Sequence, residues 1–153
     1  MLTYSQNGSL FARYVQEYNR SPNEWDRTLI HLMVEVGDEM TVAILDSGMP
    51  YSICSPAWAE YRGYTIMNAD TTDPIRVNGR LIEGRTHLIP IRILPDLTDD
   101  DDYEPELETI TIHAFVPNRA DELPASPLRL GLVGCLSSIN FAVHGNRHHF
   151  YWM

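Results

Sequence analysis

The strongest constraint on this chain lies in one short stretch, Thr41-Val42-Ala43-Ile44-Leu45-Asp46-Ser47-Gly48. Its first five residues are β-branched or aliphatic, the composition of a buried strand. An acid, a hydroxyl and a glycine follow at once. A carboxylate at the end of a buried strand is costly unless it is hydrogen-bonded or paired. Ser47 supplies a hydroxyl beside it, and Gly48 lets the backbone turn sharply. The plain reading is a strand that ends in an Asx-type turn, which turn chemistry makes common. The neighbouring sequence adds to that. Leu29 to Val36 reads as a strand, Gly37-Asp38-Glu39 as a turn, and Met40 to Leu45 as the returning strand of a hairpin.

Further along, turn signals alternate with strand-length apolar runs. Asn78-Gly79 sits between Ile75-Arg76-Val77 and Arg80-Leu81-Ile82, a strong short hairpin signal. Glu83-Gly84 reads as a second turn. His87 to Leu94 is a strand whose ladder Pro90 limits on one side. Thr109 to Val116 alternates with period two. Ser55-Pro56 opens a short helix, with Ser55 as N-cap and Pro56 at the first helical position, and Gly63 ends it. Residues 64 to 74 are polar and irregular. Leu10 to Tyr18 is expected to be a strand joining the hairpin sheet, and Asn19 to Asn23 a loop. The pattern predicts an all-β chain with one or two short helices.

Composition removes several functions. A net charge of −10 argues against binding a phosphate backbone, which needs a basic face, so no nucleic-acid partner is expected. The apolar runs are strand-sized, so no membrane helix is expected. The N-terminus shows neither the basic nor the apolar region of a signal peptide, which suggests the cytoplasm. Cys54 and Cys135 are too few for a disulfide framework and read as buried small hydrophobes. His31, His87, His113 and His144 are scattered over predicted strands, and adjacent His148 and His149 would face opposite sides of a strand. No Cys-x-x-Cys pair occurs, so no metal site is expected. The run Asp99-Asp100-Asp101-Asp102 lacks the spaced ligands and central glycine of a calcium loop, and reads as a solvated loop. Nucleotide-binding glycine motifs and a nucleophile elbow are missing too, and no cofactor is expected.

A second apolar run ends in glycine near the C-terminus, Leu128-Arg129-Leu130-Gly131-Leu132-Val133-Gly134-Cys135-Leu136. Taken with Leu45-Asp46-Ser47-Gly48, it resembles the single-domain, bacterial-type retropepsin-like aspartic proteases. That family has a hydrophobic strand ending in Asp-Thr/Ser-Gly and a later apolar-apolar-Gly segment packed beneath the catalytic loop, followed by a short helix. Leu130-Gly131 matches the later segment, with Cys135-Leu136 opening the helix. Ile139 to His144 and His149 to Trp152 look like the closing strands. Met49 stands where many members have Ala.

The resemblance covers residues 28–153 and leaves 1–27 as an N-terminal extension or edge strand. It implies a small closed β-barrel-like domain of the acid protease fold, acting as a homodimer. It also implies an endopeptidase whose catalytic loop is Asp46, Ser47 and Gly48, with Leu130 and Gly131 as structural support under the site. Such chemistry needs two carboxylates sharing one proton, since two like charges a hydrogen bond apart cannot both ionise. Asp38 falls in a turn, and Asp70 and Asp73 in loop-like sequence, so one chain supplies half a site. Two Asp46 side chains would meet on a two-fold axis. Ser47 would reach the partner's backbone, the role usually held by Thr. The Ile75 to Ile82 hairpin, with Val77, Asn78 and Gly79 toward its tip, would be the lid over an extended polypeptide substrate. Tyr51, Ile53 and Ile82 would wall its pockets. The alternative is a non-catalytic dimerisation or peptide-binding module of the same fold.

Overall fold

The computed structural model describes residues 10–13, 15–18, 28–95, 107–123, 127–144 and 149–152. The 19–23 loop and the Asp99 to Asp102 run lie outside the described residues. Twelve strands are described: β1 (Leu10–Arg13), β2 (Val15–Tyr18), β3 (Thr28–Val36), β4 (Glu39–Leu45), β5 (Ser52–Cys54), β6 (Ile75–Val77), β7 (Arg80–Ile82), β8 (Gly84–Ile93), β9 (Ile110–Pro117), β10 (Leu128–Leu130), β11 (Phe141–His144) and β12 (His149–Trp152). The helix α1 spans Pro56–Tyr61, and two single 3-10 turns cover Ile66–Asn68 and Leu136–Ser138.

The main sheet closes on itself. Its order is β2-β3-β4-β10-β5-β9-β8, and β8 also pairs with β3. The ring β3-β4-β10-β5-β9-β8 is therefore a six-stranded closed barrel, with β2 added outside β3. Closure removes the exposed sheet edges that would otherwise recruit other chains. The closing seam is short: Val34 lies opposite Ile93 and Glu35 opposite Arg92. An ion pair reinforces it, with Arg92 Nη2 at 2.6 Å from Glu35 Oε1.

Alternation fills the barrel. Ile89, Ile91 and Ile93 on β8, Ile110, Ile112, Ala114 and Val116 on β9, and Leu32, Val34 and Val36 on β3 form one buried core with Leu128 and Leu130. The opposite face of β9 places Thr111 and His113 in solvent. Along β3, β8 and β9 the alternate apolar residues are thus the inward set, as period two requires, while Met33 and Leu88 on the other face, with Val42 opposite Met33, are exposed.

The expected β3–β4 hairpin is present, with a turn of two residues, Gly37-Asp38, in place of three, since Glu39 already pairs with Val36. The Ser55 hydroxyl caps α1 by accepting from the Trp58 N–H at 3.3 Å, with Pro56 first in the helix. Asn78 and Gly79 both have positive φ, 50° and 79°, the geometry a two-residue hairpin turn demands. Two expectations need correcting. Gly84 is not in a turn but opens β8, opposite Pro117, because a side chain there would collide with Phe115 and the Val116 carbonyl at 2.3–2.4 Å. The stretch 10–18 is not one strand. β2 joins the hairpin sheet through β3, whereas β1 pairs with β12 in a separate sheet of order β1-β12-β11.

A second, smaller cluster lies apart from the barrel core. Ile53, Phe115, Ile75, Val77 and Ile82 are buried together, with Met49, Tyr51 and Leu123 packed against them. It docks the β6–β7 hairpin beside the loop that follows β4. Among the described residues no helix is long and apolar enough to cross a membrane.

Candidate active site

β10 is only three residues long, yet it carries the centre of the molecule. It runs parallel to β4 on one side, pairing Leu128, Arg129 and Leu130 with Ala43, Ile44 and Leu45. On the other side it runs antiparallel to β5. The loops leaving β4 and β10 therefore emerge side by side. Backbone bonds stitch them together: Asp46 N–H donates to Leu130 O at 2.9 Å, Leu132 N–H to Met49 O at 2.9 Å, and Val133 N–H to Pro50 O at 2.6 Å.

Gly131 sits at the tightest point of that seam. A Cβ there would lie 2.2 Å from the Tyr51 carbonyl oxygen and 2.9 Å from that of Met49. Its N–H donates to the fully buried Ser52 hydroxyl at 3.1 Å, and the same hydroxyl is hydrogen-bonded with the Cys135 thiol. Leu130 and Gly131 thus lie directly against the Asp46 loop.

The Asp46 carboxylate is fixed at both oxygens. Oδ1 accepts the Gly48 N–H at 3.1 Å, an Asx-type closure of the turn. Oδ2 accepts from Arg129 Nη1 at 2.6 Å. The Asp46 side chain keeps 24% of its surface, whereas that of Arg129 keeps 9%. Alternation explains the meeting: Arg129 is opposite Ile44, and Asp46, two residues on, projects to the same face as Ile44. Ser47 is exposed beside it.

Arg129 is the residue that sequence reasoning missed. The signal was present, since an arginine inside the apolar triplet Leu128-Arg129-Leu130 has to find an acid once the strand is buried.

The expected lid and pocket residues fall into two groups. Val77, Ile53 and Ile82 are buried in the second cluster, with Tyr51 partly buried against it. Asn78 and Gly79 project into solvent at the hairpin tip, where Arg76 Nη1 donates to the Gly79 carbonyl at 2.9 Å.

A different polar group lies under α1. Tyr64 stacks on Trp58, with ring centroids 6.2 Å apart, and leans on His87 at 5.3 Å. Arg85 Nη2 donates to the Tyr64 carbonyl at 3.0 Å. Burial and the Arg85 charge hold the His87 pKa below its ordinary value, against the opposing pull of Asp70 and of a hydrogen bond that the imidazole donates to the Asn68 backbone carbonyl. Burial also raises the thiols of Cys54 and Cys135 to about 12. Among the described residues no group of three or more His, Cys, Asp or Glu could hold a metal ion.

A closed six-stranded barrel whose Asp-Ser-Gly loop rests on an apolar-Gly segment is the retropepsin-like aspartic protease fold. No protein-family model matches the chain, and no curated protein matches it by sequence. Among solved structures the chain is similar to a retropepsin-like aspartic protease from Rickettsia conorii, with a TM-score of 0.53 and 11% identity over 99% of this chain and 96% of that one. At that identity the likeness is one of fold.

Proposed function

We propose that the chain is an aspartic endopeptidase that works as a homodimer. The observation that carries the reading is Asp46: a part-exposed carboxylate fixed at the end of a barrel strand, beside an exposed hydroxyl and a glycine, on a retropepsin-like fold. Among the described residues one chain offers one such acid, so the second comes from a second copy on a two-fold axis.

Between the two Asp46 side chains a water molecule is activated. The ionised carboxylate takes its proton as the oxygen attacks the scissile carbonyl carbon. The protonated carboxylate gives its proton to the carbonyl oxygen. Collapse of the resulting gem-diol breaks the C–N bond, with a proton passing to the leaving nitrogen. Ser47 ties the two loops together by reaching the partner's backbone. The β6–β7 hairpin, through Val77, Asn78 and Gly79, covers an extended polypeptide and excludes water. Tyr51, Ile53 and Ile82 shape the adjoining pockets.

One observation favours a second reading, a non-catalytic peptide-binding or dimerisation module. Arg129 occupies Asp46 Oδ2, so one oxygen of the carboxylate is already engaged within its own chain.

Asp46→Asn separates the two. It keeps the shape of the side chain and removes the titration, so hydrolysis of a mixed peptide library should fall by about 10²–10⁴-fold while the thermal transition persists. Specific activity of the parent should also fall on dilution, because a site shared between subunits depends on protomer concentration. Undiminished cleavage by Asp46→Asn would sink the aspartic mechanism. A parent chain that cleaves nothing from acid to neutral pH would favour the second reading.

A further inference from the structure

Arg129 has more donors than the ion pair uses. Its residue is 8% exposed, one nitrogen meets Asp46 Oδ2, and its Nε has no hydrogen-bond partner among the described residues. A guanidinium carries five N–H donors in a planar fork suited to a carboxylate. A buried donor without an acceptor is unfavourable, so the guanidinium is not fully satisfied within its own chain; its Nε is sealed from solvent, and a ligand meets only the small part of the side chain that remains exposed.

The charge of the site points to the same missing group. This step rests on the paired-Asp46 reading above. Two-fold symmetry that brings two Asp46 together also brings two Arg129. A dyad with one shared proton carries one negative charge, and the two guanidiniums carry two positive ones. The centre is then one negative charge short of neutral.

We propose that Arg129 is a specificity-determining residue, and that it selects peptides with an Asp or Glu side chain next to the scissile bond. The reacting bond must touch Asp46, and Arg129 touches Asp46, so a side chain flanking that bond is within the guanidinium's reach. A substrate carboxylate pairs with the exposed edge of the guanidinium and restores neutrality in one contact. Glutamine has the shape without the charge. Lysine or arginine at that place brings like charge against like and is rejected.

The test uses matched peptide pairs from an acidic library, assayed for both cleavage and binding, that differ only in Glu or Gln at one position. The parent should cleave the Glu peptide with kcat/KM roughly tenfold or more above the Gln peptide, in line with a charge-assisted contact. Arg129→Gln should bring the ratio to within about twofold, and Arg129→Lys should keep part of it. Circular dichroism checks the fold of each variant. A second arm needs no hydrolysis: Asp46→Asn should bind fluorescein-labelled Glu peptide about tenfold tighter than Gln peptide, and the added Arg129→Gln change should abolish the difference. Equal cleavage and equal binding of the two peptides would overturn the role of Arg129 while leaving the hydrolytic reading intact. Selective binding without cleavage by the parent would support Arg129 as an anion selector and overturn the hydrolytic reading. Neither cleavage nor selectivity would overturn both.

Discussion

Replacing Gly131 by alanine should be among the most damaging single-methyl additions to this protein. The new Cβ would lie 2.2 Å from the Tyr51 carbonyl oxygen, 2.4 Å from its carbon and 2.9 Å from the Met49 oxygen. All three are backbone atoms, so no side chain can turn aside. An ordinary contact needs somewhat more than 3 Å, so the two loops must part by about 1 Å. That movement strains Leu132 N–H to Met49 O, Val133 N–H to Pro50 O and Gly131 N–H to Ser52 Oγ together. Overpacking costs about 1–3 kcal/mol, and each weakened bond up to about 1 kcal/mol. Some bonds survive in lengthened form, so the expected loss is about 3–5 kcal/mol, a large share of the stability of a domain this size. Gly48→Ala is the control. Its nearest contact would be Asp46 Oδ1 at 3.4 Å, an ordinary distance, and the change should stay within about 1 kcal/mol. Equilibrium urea unfolding, with the slope checked for constancy, measures both. Gly131→Ala within 1 kcal/mol of the parent would show that the two loops are not packed through this glycine.

Two further outcomes follow from buried titratable groups. His87 is neutral in the folded chain at pH values where the unfolded chain, with an ordinary pKa near 6.5, takes up a proton. Its contribution is therefore present above about pH 6.5 and lost as pH falls toward the depressed folded value, with a slope of at most about 1.4 kcal/mol per unit. The groups around it, Arg85, Asp70 and Tyr64, remain in His87→Gln, so comparing urea midpoints from pH 7.5 to 5 isolates this slope; an unchanged slope in the variant refutes the assignment. With thiols raised to about 12, the native thiolate fraction at pH 8 is on the order of one in ten thousand. A disulfide reagent should label neither Cys54 nor Cys135 until denaturant is added, and labelling at the rate of a free exposed thiol would contradict their burial.

Sequence was most informative where a local rule left few choices. Asn78-Gly79 demanded two positive φ angles, Ser55-Pro56 a helix start, and Asp46-Ser47-Gly48 a polar turn at a strand end; each falls where expected. What it missed depended on partners distant in the chain. Gly84 reads as a turn residue until Phe115 and Val116 are seen across from it. The β1–β12 pairing joins opposite ends of the chain, and no local pattern announces it. Arg129 finds Asp46 across 83 positions, and an apolar run interrupted by one cation did not say which acid would answer it. The fold was therefore more legible than the charge around its central carboxylate.

That same separation has a consequence during synthesis. Asp46 leaves the ribosome well before the residues that support it: among the described residues, the hydrogen bonds that seat its loop from outside come from residues 129 to 133, and Gly131 bonds to Ser52 across 79 positions. At about 5–20 residues per second the gap lasts on the order of ten seconds. Through that interval the β3–β4 hairpin can form, but its terminal carboxylate has neither its supporting strand nor its arginine. A growing chain thus lacks an assembled Asp46 loop until its C-terminal segment arrives, and a truncation before β10 would leave the acid at the end of an unsupported hairpin.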